Sequence, residues 1–155
     1  MFLKFSTFAL LLALTFNVFA RDIGSVNTVF KALGANDKIV VVAFTDPHIP
    51  EITCYLSRAK TGGMAGAIGL AEDKSEASLA CVKTKVINMA KIDPKVINGK
   101  YDGDNVYKVS TSITFKSLQV VRFYDKQANS VVYLTYSDKL IEGSPNNTVF
   151  AVSLN

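Results

Sequence analysis

The chain of 155 residues contains a single histidine and two cysteines, and these shortages narrow its chemistry before any motif is considered. One histidine, His48, cannot form a histidine metal cluster, and no second cysteine pair exists to help it, so no metal site is expected. The two cysteines stand far apart, unlike the two-residue spacing of an active dithiol. No Gly-x-Ser-x-Gly nucleophile elbow occurs. Basic residues are not clustered either: 17 Lys and Arg against 13 Asp and Glu give a net charge of +4, too even a balance for a dedicated nucleic-acid binder. Beyond residue 20 no apolar run is long enough to span a bilayer, no stretch holds a 3.6-residue apolar stripe for three turns, and no internal repeat is visible. At 49% hydrophobic and 19% charged, the chain buries enough surface to offset its ordering entropy, which excludes disorder.

What is there begins with a leader. Lys4, an apolar run over residues 5–16 and a closing Val18-Phe19-Ala20 match a secretory signal, with small residues at the last and third-last positions. Cleavage after Ala20 leaves residues 21–155 as one exported domain. Both cysteines lie in that part, where an oxidising compartment lets a disulfide persist, so Cys54 and Cys81 are expected to pair. The chain-entropy estimate for closing that loop is about 3.5 kcal/mol, a large share of a small domain's stability.

The remaining pattern is mostly β, an antiparallel sandwich or barrel of about six to eight strands. Residues 39–44 (IVVVAF) are apolar at both parities, as in a central strand, and Asp46-Pro47 and Pro50 stop them. Ile52, Cys54 and Leu56 form an inward row. Residues 75–81 fit either a helical turn or a strand. The turn-rich stretch 88–104 has room for a short helix. A long strand with one wet face is expected over 107–116, and a final strand over 149–154 places Phe150, Val152 and Leu154 inward. Between them a hairpin flanks Lys126-Gln127-Ala128-Asn129; a four-residue loop opposes Phe123 with Val132 and Val121 with Leu134, giving one apolar face.

Several residues are candidates for binding. Arg58 continues the inward row of Cys54 and Leu56 and needs a carboxylate partner, for which Glu72, Asp73, Asp125 and Asp138 are candidates, or an anionic ligand. Lys60 precedes a glycine-rich segment, Gly62, Gly63, Gly66 and Gly69, whose spacing is neither the dinucleotide fingerprint nor the Walker pattern. That segment reads as a connection held at its base by the disulfide. Met64, Ile68 and Leu70 in it offer a small apolar contact. Arg122 opposes Tyr133 in the hairpin register, as a cation–π pair on a solvated face or one wall of a ligand site. His48 is expected in an exposed loop.

The chain resembles the CreA family of small exported bacterial proteins. The blocks that carry the resemblance are DIGSV at 22–26, TCYLSRAKTGG at 53–63, GLAED at 69–73, Cys81, FKSLQVVRFYD at 115–125, YSDK at 136–139 and EGSP at 142–145, spread over nearly all of residues 21–155. The resemblance implies a periplasmic protein of Gram-negative bacteria and brings no catalytic residue with it. The combined expectation is a cofactor-free binding or accessory protein that contacts an envelope protein or small anionic ligand through Arg58, Lys60, Gly62, Gly63, Glu72, Asp73 and Arg122. The alternative is a small hydrolase or isomerase with Arg58 as anion clamp and Asp73 or Asp138 as base.

Overall fold

A computed structural model describes residues 19–64, 76–110, 117–138 and 146–155. It contains two four-stranded antiparallel sheets packed face to face. The first orders β1 (Arg21–Val29), β2 (Asp37–Asp46), β3 (Ile49–Lys60) and β4 (Ala77–Lys83) side by side. The second does the same with β5 (Asp104–Ser110), β6 (Ser117–Asp125), β7 (Ser130–Ser137) and β8 (Asn147–Ser153). Each strand pairs with its sequence neighbour, so both sheets are meanders.

The period-2 pattern of β3 does what it implies. Ile52, Cys54 and Leu56 are buried, and Cys54 lies directly opposite Cys81 on β4, to which it is disulfide-bonded. The ambiguous segment near residue 80 is therefore a strand, with Leu79 and Cys81 inward. Across the interior, Phe44 stacks on Tyr107 with ring centroids 4.4 Å apart. Val152 and Leu154 are buried and Phe150 packs against the same core.

The connection from β4 to β5 holds a 3-10 turn (Met89–Lys91) and the short helix α1 (Pro94–Ile97). Asp93 caps α1 by accepting from the Lys95 N–H at 2.9 Å, and Pro94 occupies the first helical position, where its missing donor costs nothing. β5 begins earlier than the alternation implies and ends at Ser110; the rest of the expected strand, 111–116, lies outside the described residues.

The hairpin register is the one that the patterning favours: Phe123 opposes Val132, Val121 opposes Leu134 and Arg122 opposes Tyr133. Asn129 closes the four-residue loop at φ 45°, a left-handed conformation that asparagine tolerates. The faces, however, are reversed. Arg122, Tyr133, Val131 and Thr135 are buried between the sheets, whereas Phe123, Val132 and Leu134 are half-buried on the outside. Outward apolar side chains from β6 and β7, with Asp102 and Asn147, line a shallow concavity of about 460 Å³.

Candidate functional site

The burial of Arg122 is explained by Asp46. Asp46 continues the alternation of Val42 and Phe44 along β2, which carries its carboxylate inward at the strand's end. There Oδ1 accepts from Arg122 Nη1 at 2.5 Å, and Oδ2 accepts from the Tyr133 hydroxyl at 2.8 Å. Oδ1 also accepts the backbone N–H groups of His48 and Ile49, at 2.8 and 3.1 Å, an Asx turn that reverses the chain into β3. The Arg122 and Asp46 side chains are 1% and 0% exposed, so the pair is fully desolvated. Asp104 adds a second carboxylate 3.6 Å from Arg122 Nη2. With four donors on one carboxylate, the node joins the β2–β3 turn to the opposite sheet.

Electrostatics agree with a closed node. Burial pushes the Tyr133 phenol well above its usual range, the Asp46 charge and hydrogen bond push it further, and Arg122 only partly opposes them. Tyr133 thus stays protonated, and its hydroxyl donates a hydrogen bond to Asp46. His48 is half-buried rather than exposed: its Nδ1 lies 3.5 Å from both Arg122 terminal nitrogens, and its Nε2 lies 3.9 Å from Asp93. The Pro-bracketed turn is folded back by the two Asp46 hydrogen bonds, which places the imidazole against the guanidinium.

A second group of candidates gathers at the opposite end of the first sheet. Lys60 on β3 lies directly opposite Lys38 on β2, and one row further in Arg58 lies opposite Val40. Three cations therefore share one face over two rows. Arg58 is half-buried and engaged with neighbouring groups, and its charge partly offsets the upward shift that burial gives Tyr107. Among the described residues neither Lys38 nor Lys60 forms an ion pair.

Gly62 and Gly63 are buried, and their amides are already committed. The Gly62 N–H donates to Asp37 Oδ1 at 2.7 Å and the Gly63 N–H to the Ala35 carbonyl at 2.5 Å. A Cβ at Gly62 would overlap the Ala35 and Asn36 carbonyl oxygens, so glycine serves close backbone approach here. The Gly62 hydrogen bond, with Lys31 at 3.3 Å, holds the Asp37 carboxyl below its ordinary value against the opposing effect of burial. Met64 is exposed. Glu72 and Asp73, together with Ile68 and Leu70, lie outside the described residues.

The other carboxylates considered for Arg58 are occupied elsewhere. Asp125 accepts the N–H groups of Gln127 and Ala128 in the hairpin loop. Asp138 accepts from the Ser117 N–H and hydroxyl, both at 2.5 Å, and from Gln119 at 3.0 Å. Burial works to raise the Asp138 pKa, but these hydrogen bonds and Lys108 outweigh it, and the net shift is downward. A carboxylate whose folded pKa is depressed adds stability above its unfolded value and loses it as pH falls through the folded one. Asp138→Asn is therefore expected to flatten the acid limb of stability below about pH 4. Urea titrations of both proteins across that limb check this; parallel acid limbs would contradict it.

Asp46 carries no motif signature and in the sequence reads only as a strand-ending Asp-Pro. Its position in the inward row of Phe44 is the signal that finds it, the same argument that singles out Arg58.

Comparison with known proteins places this chain in a family. Protein CreA of Escherichia coli K12 is 53% identical to this chain over 133 residues, 86% of this chain and 83% of its own length. The CreA proteins of E. coli O6:H1 and O157:H7 match to the same extent. No solved structure matches. The family model described as CreA protein matches residues 23–155, including both cysteines, Asp46, Arg122 and Tyr133, and the chain belongs to the CreA family.

Proposed function

We propose that this CreA-family chain is a periplasmic, non-enzymatic binding or accessory protein that meets an envelope protein or small anionic ligand at the basic end of its first sheet. The observation that carries the reading is the direct opposition of Lys38 and Lys60 with Arg58 one row behind them. Like charges opposed across a sheet cost stability, and a carboxylate or phosphate from a partner relieves that cost while gaining charge-assisted hydrogen bonds. Exposed Met64 adds an apolar contact beside them. Export is supported by the basic residue, apolar run and small closing residues before Arg21, and by the start of β1 at Arg21 itself.

The test is a disulfide-intact pull-down from periplasmic extract with the wild type and Arg58→Ala and Lys60→Ala variants, read by mass spectrometry for proteins and small molecules. The expected result is a partner held by wild type and lost with either variant while the far-ultraviolet circular dichroism is unchanged. A partner retained by both variants contradicts the site.

A further inference from the structure

β1 presents an anomaly. All nine of its residues are exposed, so the strand buries no side chain. Fixing a backbone residue costs about 1–2 kcal/mol, and β1 offsets this only through its ladder to β2. Its other edge is unpaired among the described residues. Edge strands are ordinarily protected by charge, especially lysine, by proline or by bulges. Between Ile23 and Val29 there is no charge and no proline, and the two irregularities of β1 leave Gly24 to Asn27 in regular register. Instead Ile23, Val26 and Val29 are exposed, and Phe30 and Leu33 continue the apolar strip past the strand's end.

We propose that this edge pairs antiparallel with the β1 edge of a second copy of the chain, joining two first sheets into one eight-stranded sheet about a two-fold axis at Val26. The sequence is self-complementary about that residue. An antiparallel pair centred there opposes Val26 with Val26 of the copy, Ile23 with Val29, Gly24 with Thr28 and Ser25 with Asn27, so apolar meets apolar and small polar meets small polar. The register shifts of β1 against β2 fall between Asp22 and Gly24 and between Asn27 and Val29, so Ser25, Val26 and Asn27 at the proposed axis lie on regular backbone and the outer pairs lie at the shifts. At the flanks the same register sets Arg21 opposite Lys31 of the copy, whose ammonium is paired with Asp37 at 3.3 Å. The interface is isologous and closes at two chains, as a two-fold pairing requires, and main-chain hydrogen bonds supply affinity in the manner of strand addition.

Sedimentation equilibrium of protein purified from cells expressing the full chain tests this. The wild type is expected at twice the single-chain mass. Val26→Lys is expected at the single-chain mass with unchanged circular dichroism, because residue 26 contacts no core, and with a thermal midpoint that no longer depends on protein concentration. Mixing Val26→Lys with Val26→Asp is expected to restore the doubled mass, since residue 26 opposes itself only across this axis. A wild type of single-chain mass overturns the proposal, including where β1 captures a strand of another protein. So does a Val26→Lys protein that keeps the doubled mass, or a mixture that fails to regain it.

Discussion

Asp46→Ala is expected to destabilise the fold by about 3–5 kcal/mol, the range for removing one partner of a buried ion pair. The substitution leaves Arg122 inside the protein with only the more distant Asp104, strips the Tyr133 hydroxyl of its acceptor, and frees the two N–H groups that form the turn into β3. Against a total stability of about 5–15 kcal/mol, this is a large fraction. The urea midpoint falls, with little change in slope if the native fold is kept. The double variant Asp46→Val, Arg122→Met should lose less than Asp46→Ala alone, because no charge is then stranded. A loss from Asp46→Ala below about 1 kcal/mol, the worth of an exposed ion pair, would show that the node does not fasten the sheets.

Removing the disulfide by Cys54→Ala with Cys81→Ala is expected to cost about 3.5 kcal/mol, from the loop it closes in the unfolded chain. Both sulfur-bearing residues are buried on the inward face, at 0% and 3% exposed, and attack by an external thiolate needs access. The native protein should accordingly resist mild thiol reductants and become reducible in urea, as followed by thiol counting over time. Rapid reduction in native buffer would mark the bridge as labile and favour a redox role.

Strands that bury a face were legible in the sequence, since the alternation of β3, β6, β7 and β8 is itself the imprint of burial. β1 was not, because it buries nothing and so carries no period. β4 was ambiguous for a different reason: Leu79 and Cys81 alone mark its inward row, and two residues do not separate a strand from a turn of helix. The hairpin register was recovered and its faces were reversed. Arg122, Tyr133 and Thr135 look solvated by composition, and only the carboxylate of Asp46, 76 residues away, makes burial of the guanidinium tolerable. Patterning sees neighbours along the chain, whereas the partner here comes from the other sheet. The same blindness hid the site: Asp46 reads as the end of a strand, although counting inward positions from Phe44 turns its side chain toward the interior. At the basic edge, Arg58 was legible from its row and Lys60 from its place before the glycine-rich segment. Lys38 was not, because its opposition to Lys60 depends on the β2–β3 register.

The binding account is tested most directly by a photo-reactive side chain placed at exposed Met64 in growing cells, with all three cations kept, beside a control at Val86, which is 93% exposed and lies past the other end of β4. The account predicts a discrete crosslinked species from position 64 that is absent from position 86 and lost when Arg58→Ala is added. Equal crosslinking at both positions, or a species from position 64 that persists with Arg58→Ala, would contradict it.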